Sequence, residues 1–545
     1  MEVKPLVAFL NLLVLVQVVV ARFPPSISEL REKIRLPASL TTRDVDPADL
    51  YPVHTISVPI DHFHNESKYE PHSDGTFDLR YWFDASYYEP GGPVIVLAAG
   101  ETSGSDRLPY LQKGILAQLS QATNGIGVVL EHRYYGESFP TPDLSTENLR
   151  FLTTQQALAD TAYFAQNVVF EGLEDKNLTA PNVPYIAYGG SYAGAFVAFL
   201  RVIYPDIFFG AISSSGVTKA IYDYWEYYEP IREYGPRECI KTTQKFTHIL
   251  DNLLSEAKNG NSSLIDQYKD VFGLGDLTYN DDFASILSSA LAGWQSRNWD
   301  PAVNSPSFSY YCGNITSFSL LYPETAVKES TVRRLIAAGG YSSRRELSYL
   351  TKPLLNFIGY INVTAVAPCV RSGQSQDECF TSHNATFYAQ DDIGQQWRSW
   401  PYQYCTEWGF LQTGSGVPQH IMPLISRSVD LEYLSIICRD AFNITTPPDV
   451  EAVNKYGGYD ISYPRLAIID GETDPWRPAT PHAPMAPPRL NTVEKPFLLI
   501  KGGVHHWDEN GLFPNETTPE LPPRPVKEVQ QAELEFVKKW LEEWK

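Results

Sequence analysis

Apolar stretches of strand length alternate with a helical stretch between about residues 70 and 215. Short apolar runs bounded by turn residues predict strands. The predicted strands are Phe77–Phe83, Pro93–Ala99, Ile126–Glu131, Val183–Tyr188 and Ile207–Ile212. The apolar face of a helix predicted over Leu152–Phe170 comprises Leu158, Ala162, Ala165 and Val169. This alternation favours an α/β domain in which helices cover both faces of a mostly parallel sheet.

The alternating pattern is lost from about residue 217 to 455 and then returns. Two further strands are predicted over Arg465–Ile469 and Pro496–Ile500, and a charged amphipathic helix over Val526–Trp544. A sheet that is interrupted and later completed implies an inserted segment. We therefore expect residues 22–216 and 456–545 to form one domain, and residues 217–455 to form a large, mainly helical cap inserted before the last strands.

The first residues have the pattern of an export signal. Lys4 precedes an apolar run from Leu6 to Val20, and small residues end this run at Ala21. The run is shorter than the roughly 20 apolar residues that a membrane span needs. We expect residues 1–21 to be a signal peptide and expect no membrane anchor. The protein would then be extracellular, or would reach an acidic vacuolar or lysosomal lumen.

Cysteine and asparagine usage agrees with export. An even number of cysteines in an oxidising compartment predicts three disulfides, of which fifteen pairings are possible. The six cysteines are Cys239, Cys312, Cys369, Cys379, Cys405 and Cys438. No Cys-x-x-Cys pair occurs, so neither a metal nor another cofactor is expected. The N-glycosylation sequons are at Asn65, Asn177, Asn261, Asn314, Asn362, Asn384, Asn443 and Asn515.

Size and charge narrow the possible partners. A chain of 545 residues is too long for one ordinary core, which agrees with a domain carrying an insertion. The formal net charge is −21. A surface of this sign repels polyanions, so nucleic acid is not an expected partner. The charge also suits solubility in an acidic medium, and nothing in the sequence indicates an oligomeric state.

A glycine-rich turn after the strand Val183–Tyr188 carries the first candidate for chemistry. It reads Gly189-Gly190-Ser191-Tyr192-Ala193-Gly194 and leads into a helix. A nucleophile elbow needs small residues around its serine because the turn is sharp and the backbone approaches itself closely. Ser191 is therefore the candidate nucleophile, and the backbone amide of Tyr192 is a candidate donor to an oxyanion.

A serine nucleophile needs a histidine base and an acid that orients it. The late strands supply both, in the order serine, acid, histidine that α/β-hydrolases use. The candidate acids that follow the strand Arg465–Ile469 are Asp470, Glu472 and Asp474. The candidate bases that follow the strand Pro496–Ile500 are His505 and His506. The residues alone leave both choices open.

Several motifs together resemble the family of serine peptidases that contains lysosomal Pro-X carboxypeptidase, dipeptidyl-peptidase II and acid-active fungal prolyl endopeptidases. The matching stretches run through nearly the whole mature chain. They include Asp61-His62-Phe63, Leu79-Arg80-Tyr81-Trp82, Glu131-His132-Arg133-Tyr134-Tyr135-Gly136-Glu137-Ser138, Gly189-Gly190-Ser191-Tyr192-Ala193-Gly194, Cys405-Thr406-Glu407, Asp474-Pro475-Trp476 and Gly503-Val504-His505-His506.

The resemblance implies an α/β-hydrolase fold and a secreted serine peptidase that cleaves peptides after proline. The acid of the family precedes Pro-Trp and its base is the first histidine of the pair, which assigns these roles to Asp474 and His505. A second oxyanion donor is expected from the loop after Pro93–Ala99, where Glu101 is the candidate. Candidate walls for a proline pocket are Trp400, Trp408 and Trp476.

The mode of cleavage stays open at this stage. Glu101 or Glu407 could meet an amino terminus of the substrate, and Arg133 or Arg398 a carboxylate. The chain also departs from the family at Asp470, where asparagine is usual, and at Ser214-Ser215-Gly216, where Ser-Ala-Pro is usual. Two rival functions remain: a lipase or esterase of the same fold, and a non-catalytic binding protein built on it.

Overall fold

The computed structural model describes residues 47–544, so the predicted signal peptide lies outside the described residues. The strands are β1 (His54–Pro59), β2 (Thr76–Asp84), β3 (Val94–Ala98), β4 (Ile126–Leu130), β5 (Tyr185–Gly190), β6 (Phe208–Ser214), β7 (Ile221–Asp223), β8 (Gly409–Leu411), β9 (Leu466–Gly471) and β10 (Phe497–Ile500).

Helices precede, connect and follow these strands. They are α1 (Pro47–Leu50), α2 (Pro109–Gln112), α3 (Ile115–Thr123), α4 (Thr154–Asn167), α5 (Tyr192–Ile203), α6 (Glu229–Tyr234), α7 (Arg237–Lys258), α8 (Ser263–Phe272), α9 (Asn280–Ser288), α10 (Ser307–Thr316), α11 (Glu329–Ala338), α12 (Arg344–Ile361), α13 (Ala367–Ser372), α14 (Gln376–Phe380), α15 (Ala385–Tyr388), α16 (Ser399–Gln403), α17 (Leu431–Leu434), α18 (Ile436–Phe442), α19 (Glu451–Asn454) and α20 (Arg524–Glu542).

Eight strands form one sheet in the order β1-β2-β4-β3-β5-β6-β9-β10. The first two strands pair in antiparallel fashion with their neighbours, and every later pairing is parallel. The strands β5, β9 and β10 therefore end at the same edge of the sheet. Loops that follow these three strands can meet there, and this is the mostly parallel sheet of an α/β-hydrolase, as predicted.

Both faces of the sheet are covered. Along β3, Val94 and Val96 belong to one buried cluster, whereas Ile95 and Leu97 belong to a second cluster. Successive side chains of a strand point to opposite faces, so a strand that is buried on both sides is apolar at every position. This explains why the central strands have continuous apolar sequences.

All predicted strands and both predicted helices of the sheet domain are confirmed, with shifted ends. One assigned position is wrong: α4 ends at Asn167, so Val169 lies beyond the helix, and its side chain is 61% exposed. The edge strand β1 was not predicted. Its burial alternates only weakly and it contains Pro59, which is the behaviour of an edge strand.

The segment between β6 and β9 is mainly helical, with one two-stranded sheet formed by β7 and β8. It contains three disulfides, which join Cys239 to Cys312, Cys369 to Cys379 and Cys405 to Cys438. One continuous helix in this segment, Arg344–Ser372, is long and apolar enough to cross a membrane, but half of its most apolar window is buried within the protein. The cap boundaries at 216 and 455 stay a prediction.

The sequons differ in their accessibility. Side chains that are well exposed to solvent can meet the glycosylation machinery, whereas half-buried ones are partly screened. The exposed asparagines are Asn65, Asn177, Asn261, Asn443 and Asn515, and the half-buried ones are Asn314, Asn362 and Asn384. Glycosylation itself stays a prediction.

Candidate active site

The turn between β5 and α5 has the geometry of a nucleophile elbow. Ser191 has φ 62° and ψ −127°, a conformation that a residue with a side chain adopts only where its surroundings enforce it. Its amide donates to the carbonyl of Ser214 on β6 at 2.9 Å, and its carbonyl accepts from the amide of Ala195 at 3.1 Å. The serine is thus held at the carboxyl edge of the sheet, directly before a helix.

The small residues of the turn are required by close backbone contacts. A Cβ atom at Gly189 would lie 2.3 Å from the carbonyl oxygen of Ala193. A Cβ atom at Gly194 would lie 2.6 Å from the carbonyl oxygen of Ser214. Neither distance leaves room for a methyl group, so the small residues around Ser191 follow from the sharpness of the turn at Gly189 and from its close packing on β6 at Gly194.

A chain of hydrogen bonds joins three side chains from three different loops. Nε2 of His505 lies 2.8 Å from Oγ of Ser191, and Nδ1 of His505 lies 2.9 Å from Oδ2 of Asp474. The second oxygen of Asp474 accepts from the amide of Trp476 at 2.9 Å. Both Asp474 and His505 are buried. The structure therefore brings together the residues predicted as nucleophile, base and acid.

Burial and the local charges set the protonation state of the histidine. Burial lowers the pKa of His505 below its ordinary value, and this effect outweighs the negative charge of Asp474, which raises it. The lowered pKa keeps the imidazole neutral to more acidic pH than usual. A neutral imidazole can accept the proton of Ser191, so the group is suited to act as a general base.

The other candidate acids have partners of their own. Oδ2 of Asp470 lies 2.6 Å from Nδ1 of His482, whose ring stacks on Phe497. A carboxylate oxygen of Glu472 accepts from the amide of Gly502 at 2.9 Å. The extra carboxylate at Asp470 is therefore occupied by a histidine that sequence reasoning did not single out.

The second histidine of the pair has a separate partner. Nδ1 of His506 lies 2.8 Å from Oε2 of Glu509, and its ring centroid is 4.5 Å from that of His505. Burial alone would lower the pKa of His506, but the negative charge of Glu509 and its hydrogen bond together outweigh burial and raise this pKa. Of the two histidines, only His505 is hydrogen-bonded to Ser191.

Polar contacts fasten the histidine loop to the central strands. The amide of His506 donates to Oγ of Ser215 at 2.9 Å, a contact that alanine at this position could not make. Further along the loop, Asp508 accepts from the hydroxyls of Ser214 and Tyr188, both at 2.6 Å. The departure from the Ser-Ala-Pro pattern thus supplies an anchor for the loop that carries His505.

The C-terminal helix α20 adds a second support, and its buried Glu533 lies near the buried Asp508 of the histidine loop. Nε2 of Gln530 donates to the carbonyl oxygens of Asp508 and Asn510 at 2.8 and 2.7 Å. One turn further, Glu533 is fully buried, and neither of its carboxylate oxygens has a partner among residues 47–544. Burial raises the pKa of Asp508 to about 6. Burial and the nearby charge of Asp508 raise the pKa of Glu533 well above its ordinary value.

These raised pKa values predict how stability depends on pH. A carboxyl group whose pKa is higher in the folded than in the unfolded protein stabilises the fold at low pH, and this contribution is lost as pH rises through the folded pKa. Replacing Glu533 with glutamine, which stays neutral, should therefore stabilise the protein increasingly as pH rises from 5 to 7.5. Between the ordinary pKa of a glutamate and the raised pKa of Glu533 in the fold, the gain grows by at most about 1.4 kcal/mol per pH unit, and above that range it stays constant.

Denaturant unfolding of wild type and Glu533→Gln at several pH values measures this difference. Glu535→Gln is the matched control, because Glu535 lies on the same helix and is exposed. A difference between Glu533→Gln and wild type that stays constant with pH would contradict the raised pKa of Glu533.

The loop after β3 lies against the elbow, as the expected second oxyanion donor requires. A Cβ atom at Gly100 would be 3.3 Å from Cβ of Ala193. Tyr192 is the first residue of α5, so its backbone amide is free of the intrahelical ladder. The amide of Glu101, in the same loop as Gly100, stays the candidate for the second donor.

Glu131 explains a sequence motif that had no assigned role. Its carboxylate accepts from Nε of Arg80 at 2.8 Å, from the amide of Gly104 at 2.8 Å and from Oγ of Ser138 at 2.7 Å. A Cβ atom at Gly136 would lie 1.9 Å from this carboxylate. The buried Glu131 therefore fixes the loop after β3 that approaches the elbow.

The three candidate tryptophans have different environments. Trp408 and Trp476 are buried, and their indole N–H groups donate to Thr154 and Gln295 respectively. They pack as core residues and offer little surface to a substrate. Trp400 is half-buried, and its ring lies 5.6 Å from that of Tyr192, beside the elbow. Trp400 is therefore the tryptophan of the three that a substrate can reach.

The buried charged residues considered for a substrate terminus are held by partners within the fold. Arg133 donates to both oxygens of Asp160, and Arg398 donates to backbone carbonyl oxygens. The carboxylate of Glu407 accepts from the amide and hydroxyl of Thr154. All three are buried, so they serve the fold and are closed to a peptide terminus. Glu101 keeps partial exposure.

A short segment of the insertion contacts both late loops, which sequence reasoning missed. Nε1 of Trp294 donates to the carbonyl of Thr473 and Nε1 of Trp299 to the carbonyl of Trp507, both at 2.8 Å. These acceptors lie one residue before the candidate acid and two residues after the candidate base. The insertion therefore helps to position both loops, through contacts that no local pattern in the sequence reveals.

The sheet, the elbow at Ser191 and the buried serine–histidine–aspartate chain are those of a serine hydrolase with the α/β-hydrolase fold. The family profile described as serine carboxypeptidase S28 matches residues 58–320 and 355–521. The chain therefore belongs to the S28 family of serine-type peptidases.

Curated relatives agree with this membership. An Arthroderma benhamiae protein named as a probable extracellular serine carboxypeptidase is 56% identical and covers 97% of this chain and 74% of its own. The serine protease vicPa of Bipolaris victoriae is 30% identical, over 80% of this chain and 81% of its own. A Caenorhabditis elegans protein named prolyl carboxy peptidase like protein 5 is 26% identical, over 86% and 87%.

Proposed function

We propose that this protein is a secreted serine carboxypeptidase that releases the carboxyl-terminal residue of peptides in which proline is the penultimate residue. The observation that carries the catalytic part is the hydrogen-bond chain from Ser191 through His505 to Asp474. Secretion is supported by the signal pattern at the N-terminus and by the relative named as extracellular. Proline preference and the carboxypeptidase mode are supported by the names of the relatives.

The geometry of the three side chains supports the following mechanism. His505 takes the proton from Oγ of Ser191 as this oxygen attacks the carbonyl carbon of the scissile bond. Asp474 holds Nδ1 of the imidazole and stabilises the imidazolium that forms. The amides of Tyr192 and Glu101 donate to the oxyanion of the tetrahedral intermediate.

The second half of the reaction uses the same groups. His505 gives its proton to the leaving amine, which departs as the free carboxyl-terminal residue, and an acyl-enzyme remains on Ser191. Water then attacks the ester carbonyl with His505 again acting as base. The products are a peptide that ends in proline and one amino acid.

Trp400 is the side chain that we assign to the substrate. A proline ring has no amide proton to satisfy, so an aromatic wall can bind it without a hydrogen-bond donor or acceptor. Trp400 lies beside Tyr192, which follows Ser191, and it is partly exposed. Trp408 and Trp476 then support the loops from within the core.

A digest of defined peptides tests the proposal. Ala-Ala-Pro-Phe with a free carboxyl terminus, its carboxyl-terminal amide and Ala-Ala-Ala-Phe are incubated between pH 4 and 7 and read by mass spectrometry. We expect release of phenylalanine from the first peptide, and at least about tenfold slower cleavage of the other two. Ser191→Ala is the control for contaminating peptidases.

The possible outcomes separate the parts of the proposal. Equal cleavage of the proline and alanine peptides would contradict the proline preference, whereas the assignment as a peptidase would stand. Equal cleavage of the free and amidated peptides, or release of an amino-terminal dipeptide, would contradict the carboxypeptidase mode. Hydrolysis of a p-nitrophenyl ester with none of the peptides cleaved would favour an esterase.

A further inference from the structure

The loop between β1 and β2 brings a carboxylate and two imidazoles together, outside the site described above. One oxygen of Asp61 and one nitrogen each of His64 and His72 all lie within 4.8 Å of one another. We propose that this loop binds one zinc ion through Asp61, His64 and His72. The proposal is independent of the proposed peptidase function, since none of these residues contacts the serine, histidine or aspartate of the active site.

Asp61 is held in the manner of a metal-binding carboxylate. Its Oδ1 accepts from the amide of Phe63 at 2.8 Å and from Nε2 of Gln156 at 2.7 Å. The side chain is buried, so these two donors fix its plane. Carboxylates and imidazoles that bind metals are oriented by hydrogen bonds of this kind on the atoms that do not bind the ion. The remaining oxygen, Oδ2, is left facing the histidines.

The two imidazoles lie between this buried oxygen and the solvent. Nδ1 of His72 lies 2.7 Å from Oδ2 of Asp61, and the rings of His64 and His72 stack with centroids 5.4 Å apart. The side chain of His72 is 24% exposed and that of His64 is 50% exposed. The three groups thus form a gradient from the interior to solvent, which leaves an entry path for an ion.

The types of ligand atom in this cluster favour zinc over magnesium. Two nitrogens and one carboxylate oxygen are ligands that zinc prefers, at about 2.0–2.2 Å, whereas magnesium prefers oxygen alone. Ligands of a tetrahedral ion at that distance are about 3.3 Å apart, so the hydrogen bond between His72 and Asp61 must open by about half an ångström. The proton on Nδ1 of His72 moves to Nε2 when the metal takes its place.

A fourth ligand is available at the exposed side. Oδ1 of Asp74 lies 3.9 Å from Nδ1 of His64, and its side chain is exposed to solvent. Asp74 lies outside the group of three converging ligands, so a water molecule, or Asp74 after rotation of its exposed side chain, would complete the tetrahedron. All four protein groups lie within the fourteen residues from Asp61 to Asp74, so the ion would close a local loop and tie it through Gln156 to helix α4.

A second cluster of similar composition shows what distinguishes the first. Asp282 lies near Asp281 and His383, but its two oxygens accept from Oγ1 of Thr381, the amide of Ser382 and the hydroxyl of Tyr433. These hydroxyl and amide donors already occupy both oxygens of the buried carboxylate, and none of them is a zinc ligand. At Asp61, the group on Oδ2 is itself a zinc ligand.

Calorimetric titration of tag-free protein with zinc chloride at pH 7.5 tests the proposal. We expect one zinc ion per chain, and no binding of magnesium at the same concentration. His64→Ala and His72→Ala should each weaken zinc binding at least about tenfold. His420→Ala is the matched control, because His420 is an exposed histidine of the inserted segment.

Thermal unfolding with and without zinc provides a readout that does not depend on the heat of binding. Zinc should raise the Tm of wild type and of His420→Ala, and raise it less in the two loop variants. Absence of stoichiometric zinc binding in the wild type would overturn the proposal, as would binding that both loop variants retain unchanged. Fluorophosphonate labelling of Ser191 should be the same in all four proteins. A failure of the peptidase active site would therefore be detected independently of zinc binding.

Discussion

Replacing His505 with alanine is expected to lower kcat for peptide hydrolysis about 10⁶-fold, and Ser191→Ala should lower it equally. In the proposed mechanism His505 removes the proton from Ser191, whose Oγ lies 2.8 Å from Nε2 of His505. Without it the serine hydroxyl is a weak nucleophile, and without the serine the base has nothing to activate. The two side chains act as one unit, so the double variant should be no slower than either single variant.

The comparison that makes this prediction specific is His506→Ala. This variant removes a neighbouring imidazole of the same loop but leaves the hydrogen bond between His505 and Ser191 in place. We expect its loss of kcat to be at least about a thousandfold smaller. Steady-state kinetics on the proline peptide, with circular dichroism to confirm folding, measure both. A larger loss in His506→Ala would reverse the assignment of the base.

Asp474→Asn is expected to lower kcat about 10⁴-fold while leaving the fold intact. Asparagine can present an amide N–H to Nδ1 of His505, and this favours the tautomer that carries its proton on Nε2. An imidazole in that tautomer cannot accept the proton of Ser191. The side chain of Asp474 is fully enclosed, so no solvent can take over the role of the charge that the substitution removes.

Matched variants at the other two acids separate Asp474 from its neighbours. Asp470→Asn changes the pair with His482, and Glu472→Gln changes the contact with Gly502. Neither touches His505, so each should lower kcat by less than about a hundredfold. The measurement is kcat for the three variants on one peptide, and a larger loss in Asp470→Asn than in Asp474→Asn would show that the acid is misassigned.

Local patterns were sufficient for the sheet and for the elbow. The central strands are buried on both faces, so their apolar sequences are continuous and their positions could be predicted. The elbow at Ser191 could be predicted because a turn this sharp needs small residues, as the close contact between Gly189 and Ala193 within the turn shows. The order of the candidate serine, acid and base along the chain then pointed to the loops that the structure brings together at Ser191.

Contacts between distant parts of the chain could not be predicted. Three carboxylates lie within the five residues from Asp470 to Asp474, at the end of β9, and only the folded structure shows that Asp474 alone of the three is bonded to His505. The contacts of Trp294 and Trp299 with the late loops span more than 170 residues of sequence. No periodicity or motif encodes such pairings.

Burial also separates residues that look alike in the sequence. Trp400 and Trp408 both carry large aromatic rings near the resemblance motifs, yet Trp408 is enclosed and Trp400 is partly exposed. Arg133 has the charge to bind a carboxylate terminus, but Asp160 already occupies it within the core. Amino-acid type gave the chemistry that each residue could perform, and the fold decided which of them a substrate meets.

In the proposed enzyme, Ser191 is a nucleophile that His505 activates. Reaction of the native protein with a fluorophosphonate, followed by intact-mass measurement and peptide mapping, measures this activation. We expect one adduct per chain, on Ser191, and no adduct in Ser191→Ala. An unlabelled wild-type protein that is correctly folded, or an adduct on a different residue, would contradict the account.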